Sequence, residues 1–409
     1  MMEKVENYIT GYIKGKTPKM LFDKEENGCL PYLSPDYLRN ISQPESYAQP
    51  DSKLVVVNEG EVIVLWDGSN AGEIFISKKG ILASTMTLLE FDENEIDKNY
   101  FGYSFQQLEY ILKAKTAGSG IPHADKGVIN KLNFYKPSLP EQASIANILS
   151  KVDEAIESVK KSIEAAEKLK KSLMQNLLTG RMKPDGTLRT EDEFYEDEKF
   201  GKVPIGWEVK KVKELSDSVQ YGLNQASSEN GEIPMLRMNN ILKGKMTDFP
   251  LVYVDLSDSL LNQYKLAKGD ILFNRTNSMD LVGKVGIFEL EGDFVFASYL
   301  IRVKVSPVNN SSYVNYALNS YPIQCSLRSK ATPAVSQANI NSNSLRNTSI
   351  LIPINKDEQD MIVSIISKIE EQINNKQNQI ITLERLKKSL MQNLLTGKVR
   401  VGEVGKERR

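Results

Sequence analysis

Residues Leu169 to Gly180 and Leu386 to Gly397 both read LKKSLMQNLLTG. Identity of this length between two distant parts of one chain marks a duplication, and a duplicated chain presents one surface twice. The likeness continues upstream at a constant offset: Glu141-Gln142 answers Glu358-Gln359, Ile145 answers Ile362, Ile148 answers Ile365, and Ser150-Lys151-Val152 answers Ser367-Lys368-Ile369. Apolar residues run Ile145, Leu149, Val152, Ile156, Val159, Ile163, Ala166, Leu173 and Leu177 in the first copy. In the second they run Ile362, Ile366, Ile369, Ile373, Ile380, Leu383, Leu390 and Leu394. Steps of four and three define a heptad seam, so each copy is expected to be one helix of a coiled coil. Lys170 and Lys387 fall on the seam at equivalent places, and Lys376 interrupts the second one. No Pro or Gly lies between the Glu-Gln start and the Thr-Gly end, which suits a helix stopped by a C-terminal glycine. At about 1.5 Å per residue, roughly 40 residues make a rod of about 60 Å.

A chain of 409 residues with 40% hydrophobic content has room for two or three domains with proper cores. It contains no apolar run of about 18 residues, and its start, MMEKVENYITGYIKGKT, lacks an apolar signal core. The expectation is therefore a protein that neither spans a membrane nor is secreted. Cys29 and Cys325 are a lone distant pair, which suits free thiols in the cytoplasm rather than a disulfide framework or a zinc site. A net charge of -1 and a pI of about 6.2 exclude nucleic-acid binding by bulk positive charge. Any such binding must use local clusters.

Six segments alternate along the chain. Residues 1–138 mix short β-like runs (Lys53 to Val57, Glu61 to Trp66, Glu73 to Ile76) with Gly, Asn, Ser and Pro turns, and read as an α/β domain. The first rod, 139–180, begins at Pro137-Ser138-Leu139-Pro140-Glu141, with the proline and acidic residue that favour a helix N-terminus. Residues 181–202 are acidic and polar and read as a linker. A second α/β domain occupies 203–354, the second rod 355–397, and a charged tail 398–409. The two globular blocks share landmarks: Gly60 to Val64 parallels Gly269 to Phe273, Ala83-Ser84 parallels Ala297-Ser298, and Ile121-Pro122 parallels Thr332-Pro333. Between the landmarks the residues differ freely. The second domain begins near the end of rod one and feeds the start of rod two, so the rods are expected to pair antiparallel under an approximate two-fold axis. A parallel pair would stretch the linker close to its limit of roughly 3.3 to 3.6 Å per residue.

Catalytic chemistry lacks its parts. His123 is the single histidine and lies in a polar loop between Pro122 and Ala124, so a histidine-based metal site, dyad or triad is read as lacking its parts and His123 as a surface residue. Gly11-Tyr12-Ile13-Lys14-Gly15-Lys16-Thr17 falls one residue short of a phosphate-binding loop, and no buried strand is expected before it. No NPPY-like segment is visible, Gly118-Ser119-Gly120 alone is not a methyl-donor loop, and the carboxylates form no recognisable pair.

Two α/β domains, each followed by a helix that starts at SLPEQ or NKDEQ and closes with LKKSLMQNLLTG, resemble the specificity subunit of type I restriction-modification systems. Val203-Pro204-Ile205-Gly206-Trp207-Glu208-Val209 resembles the opening of a target-recognition domain in that family. One departure matters: this opening precedes the second domain but not the first, whose first strand is expected to be missing, displaced, or supplied by another segment such as the C-terminal tail. The resemblance implies a non-catalytic subunit in which each target-recognition domain reads one half of a bipartite DNA sequence and the helices act as a ruler. It also implies two methyltransferase subunits as partners, which hold S-adenosylmethionine, and restriction subunits that use ATP and Mg. The competing classes are a coiled-coil scaffold without sequence-specific DNA binding and a nucleotide-dependent enzyme using the Gly11 region.

Reading base edges needs side chains whose donors match the groove pattern. Loop residues of that type are Lys14, Lys16, Trp66, Ser69, Asn70, Ser119 and His123 in the first domain. In the second they are Tyr221, Asn224, Arg237, Asn239, Asn274, Arg275, Asn277, Lys330, Ser336 and Gln337. Met174 and Leu178, like Met391 and Leu395, widen the apolar stripe beyond a two-stranded seam. They either cap a local core or form a pair of equivalent docking surfaces for the methyltransferase subunits.

Overall fold

Both expected helices form without a break, as Leu139–Leu178 and Lys356–Leu394. The computed structural model describes residues 1–39, 41–116, 122–333 and 337–401. Among them no helix is long and apolar enough to cross a membrane. The chain divides into two α+β units, one of Met1–Lys161 with Lys376–Arg409 and one of Ser162–Asn375. This division cuts across the segments read from the sequence, because each long helix gives its first part to one unit and its last part to the other.

In the first unit an antiparallel sheet runs in the order Ile9–Lys14, Met86–Phe91, Val62–Leu65, Ile74–Ile76. Val62–Leu65 is fully buried because both its faces are covered. Val62 and Val64 pack with Tyr100, Phe101 and Phe105 of the helix Lys98–Ala114, while Ile63 and Leu65 pack with Leu33, Leu38 and Leu82. Alternate side chains of a strand point to opposite faces, so a strand covered on both sides reads as one apolar run. The Gly11 to Thr17 stretch is strand as far as Lys14, not a phosphate loop.

The second unit repeats the order with Ser216–Tyr221, Leu300–Val305, Ile271–Asn274 and Val285–Ile287, then adds Lys245–Met246 and Ile241–Leu242. The strand at the Gly-Trp opening, Trp207–Lys211, pairs antiparallel with Ser349–Pro353. The equivalent strand of the first unit is present. Met2–Lys4 pairs antiparallel with Asn133–Tyr135, which corrects the expectation that this strand is missing, displaced or donated by the tail. Three residues without the Gly-Trp opening carry no alternation from which to read a strand.

The Glu-Gln pair at the start of each long helix ties it to its unit. Gln142 accepts from the backbone N–H of Asp97 at 2.8 Å and donates to the Pro137 carbonyl at 3.0 Å. Gln359 accepts from the N–H of Asn310 at 2.8 Å and donates to the Pro353 carbonyl at 2.8 Å. Asp97 and Asn310 are themselves the N-caps of the helices Lys98–Ala114 and Ser311–Leu318. The neighbouring glutamates are held by arginines. Glu141 takes two hydrogen bonds from Arg400 at 2.7 and 2.6 Å, and Glu358 takes one from Arg189 at 2.6 Å and one from the Trp207 indole at 3.1 Å. Arg189 belongs to the stretch read as a linker, which continues into a hairpin of Phe194–Asp197 with Gly201–Pro204.

Within each unit the two helix portions run antiparallel. In the first, Ile145 and Leu149 share a core with Leu394 and Leu395, and Asp153 pairs with Lys387 at 2.6 Å while accepting from Tyr103 at 2.8 Å. In the second, Ile362 and Ile366 share a core with Leu177 and Leu178, and Glu370 pairs with Lys170 at 2.7 Å while accepting from Tyr316 at 2.9 Å. Burial, then the adjacent carboxylate, pushes both phenols above their ordinary range, so each stays a donor. Leu178 and Leu395 are therefore core residues, with Met174 and Met391 packed beside them. Of the two alternatives for these side chains, Leu178 and Leu395 cap a local core, while Met174 and Met391 stay partly exposed beside them. Gly180 and Gly397 end the repeats at φ +67° and +71°, where a Cβ would lie 2.3 Å from Pro204 and 2.7 Å from the Tyr135 ring.

Replacing Gln142 or Gln359 with Ala strands a proline carbonyl and a helix-cap N–H in a buried place. Each substitution is expected to cost about 1 to 3 kcal/mol, by similar amounts, in urea titrations of the full chain; a cost below about 0.5 kcal/mol would contradict the anchoring role.

Candidate nucleic-acid interface

Strand polarity brings the reading candidates to one rim of each sheet. In the second unit Tyr221 lies opposite Ile301, and Asn274 lies opposite Leu300. Two strands thus end, and the strand between them begins, at the same edge. Beyond it the chain turns at Gly222, where a Cβ would stand 2.2 Å from the Ala297 carbonyl oxygen. Arg275 is bonded through its N–H to Tyr299 O at 3.0 Å and through its carbonyl to Ile340 N at 2.9 Å. Its guanidinium lies 5.0 Å from the Tyr221 ring centroid and donates to Ser298 O at 3.2 Å. Asn277 pairs with Ala338 in a small sheet, which sets exposed Gln337 beside it. Tyr221, Arg275, Asn277 and Gln337 are thereby gathered.

Asn224 and Arg237 approach the same rim, because Leu223 donates to Phe296 O and accepts from Ser298 N–H, and Leu236 O accepts from the Ala297 N–H between them. The Arg237 backbone N–H is held by Asn240 at 2.8 Å, and Asn239 is exposed on that turn. Lys330 stands apart at the end of the helix Tyr321–Ser329, with its ammonium 3.3 Å from the Thr348 hydroxyl. Burial, then the charge of Lys199, lowers its pKa. Asn274 is not on the surface. It is fully buried and its amide donates to Leu281 O at 3.2 Å, since it ends a strand covered on both faces. Ser119 and Ser336 lie outside the described residues.

The first unit builds the same rim with other side chains. Lys14 lies opposite Thr87 and Leu65 opposite Met86, and a Cβ on Gly15 would stand 2.1 Å from the Ala83 carbonyl oxygen. Trp66 occupies the backbone position of Arg275: its N–H bonds Thr85 O at 2.7 Å and its carbonyl bonds Ala124 N at 2.8 Å. Asp67, absent from the sequence-derived set, joins Lys14 at 3.0 Å to the His123 ring at 2.6 Å. Partial burial opposes its ionisation, but hydrogen bonds from His123 and Lys14 prevail and hold the carboxyl below its usual range. Tyr12 meets Trp66 edge-on with centroids 6.0 Å apart, under the Lys126 ammonium at 4.5 Å, and burial pushes its phenol up to about 12. Lys16, Ser69 and Asn70 are exposed on the adjoining turns. A donor-rich rim of this kind suits base edges, with lysines available to phosphates. Asp67 was legible only as the residue after Trp66, since an acidic residue is not sought on such a rim.

Residues 9–168 and 204–385 match the model of the type I restriction modification DNA specificity domain. The type I restriction enzyme MjaVIII specificity subunit of Methanocaldococcus jannaschii is 35% identical over 407 residues, covering 95% of this chain and 91% of that one. The StySPI specificity subunit of Salmonella potsdam is 24% identical over 401 residues, covering 90% and 83%. The crystal structure of a type I restriction-modification S subunit from M. genitalium shares the fold, with TM-score 0.60, 14% identity, and coverage of 97% of this chain and 96% of that chain. With two matched specificity domains and a full-length relative, the chain belongs to the specificity subunits of type I restriction-modification systems, the non-catalytic component that carries DNA sequence specificity.

Proposed function

We propose that each unit reads one half of an asymmetric, bipartite DNA site, and that the paired long helices are the coiled-coil spacer that sets the half-site separation. The observation that carries this reading is the contrast at the two rims: the same backbone bonds and close-approach glycines present Trp66 with Lys14, Asp67 and His123 in one unit, and Arg275 with Tyr221 in the other. One scaffold with two sets of donors and acceptors selects two different base patterns. The internal repeat supports a pseudo-two-fold arrangement, which matches the local symmetry of duplex DNA.

The partners follow the same logic. The complex works in the cytoplasm on double-stranded DNA, with two methyltransferase subunits that hold S-adenosylmethionine and restriction subunits that use ATP and Mg. The repeated segment supports two equivalent methyltransferase sites in a way independent of its core leucines. Leu169, Lys171, Ser172 and Gln175 are exposed, and so are their counterparts Leu386, Lys388, Ser389 and Gln392. Intramolecular packing does not account for identity at these positions, whereas two copies of one partner do.

Exchanging residues 203–354 for another target-recognition domain is expected to change one half-site in the methylome of cells expressing the complex. The other half-site should stay intact, and a change in both would contradict the two-reader mechanism. Removing one heptad from each long helix should alter the permitted spacer and neither half-site.

Leu169→Glu and Leu386→Glu are each expected to remove one methyltransferase subunit in native mass spectrometry. A one-to-one complex with the unmodified chain would contradict two equivalent sites.

A further inference from the structure

Arg275 is held more firmly than a surface arginine needs to be. Its backbone is bonded on both sides, to Tyr299 O and Ile340 N. Its guanidinium lies over Tyr221, whose hydroxyl accepts from the Ser342 N–H at 3.0 Å. Nη1 donates to Ser298 O at 3.2 Å, and Nε is buried with no partner. Among the described residues no carboxylate pairs with it and Nη2 makes no hydrogen bond. The group is thus a restrained, flat, charged fork whose unused donors outside the buried Nε are at its Nη end.

A charge without a counterion is unfavourable in the free protein, and a ligand with adjacent acceptors at the open Nη end offsets it. Guanine offers two acceptors side by side, N7 and O6, whereas adenine places a donor where O6 would be. The Tyr221 ring and the Ser298 carbonyl together restrain the fork before DNA arrives, which removes part of the ordering cost of a long side chain. The equivalent backbone position in the first unit carries Trp66, which has one N–H donor and no fork.

We propose that Arg275 is the residue with which the second unit reads a guanine of its half-site through the major groove. This deepens the half-site reading above and rests on it.

The test uses the full chain with its methyltransferase partner and duplexes carrying the methylated site, in which each guanine of the second unit's half-site is replaced in turn by 7-deazaguanine, which lacks N7. The unmodified protein is expected to lose roughly 10-fold or more in affinity at one guanine. Arg275→Gln should bind the natural duplex about that much more weakly and become indifferent to the replacement, with discrimination at the other half-site retained. The assignment is overturned if the half-site contains no guanine, if the unmodified protein tolerates loss of N7 at every guanine, or if Arg275→Gln keeps the sensitivity. It is also overturned if that variant weakens all sequences equally with a shallower salt dependence, the signature of a phosphate contact. The arm with unmodified protein does not depend on the variant folding. If exchange of residues 203–354 rewrites the half-site while N7 is dispensable, the guanine assignment alone falls; if the exchange leaves the half-site unchanged, the half-site reading itself falls.

Discussion

In each unit a carboxylate on the starting part of one long helix is held between a lysine from the ending part of the other and a tyrosine from the globular core. Asp153 lies between Lys387 and Tyr103, and Glu370 lies between Lys170 and Tyr316. These contacts are partly exposed, so they contribute little net free energy beside the leucines packed next to them. Burying Leu177, Leu178, Leu394 and Leu395 is worth about 1.5 to 3 kcal/mol each. The division of labour follows: the leucines supply the affinity of the helix portions for each core, and the ion pair sets their register. A slip of one residue turns a side chain about 100° around its helix, which breaks the lysine contact and lifts the leucine pair out of its core together.

That register explains the internal identity and also limits it. Leu173, Met174, Leu177 and Leu178 of the first LKKSLMQNLLTG, like their counterparts, face a core and are constrained from within the chain, while Leu169, Lys171, Ser172 and Gln175 with their counterparts face outward. The glutamine anchors and arginine-capped glutamates at the other end of each helix serve the same purpose by different means. Arg189 lies over Trp207 and Arg400 over Tyr135. The scaffold is therefore specified at both ends of each helix, which leaves the rim residues free to differ without loss of the fold.

Much of this was legible in the sequence because it is periodic. Heptads reveal the helices, the repeat reveals the duplication, and connectivity predicts antiparallel pairing. What escaped is local or relational. Met2–Lys4 is too short to show alternation and becomes a strand only by pairing with Asn133–Tyr135. Leu178 and Leu395 belong to an apolar stripe that a partner or the chain's own core satisfies equally well, and only the tertiary packing decides. Asn274 follows three buried apolar residues in a strand closed on both faces, so its burial could have been anticipated from that run. Asp67 gains its role from Lys14 and His123, which are distant in sequence and adjacent only once the sheet forms.

The helix register is most directly tested by paired spin labels on exposed sites, with Cys29 and Cys325 replaced by Ser. One pair is Glu154 with Leu386 in the first unit, and the other is Glu371 with Leu169 in the second. Antiparallel pairing in equivalent registers predicts short and closely similar distance distributions for the two pairs. Long separations, or one short and one long, would show that the two ends of the chain are not built on the same contact.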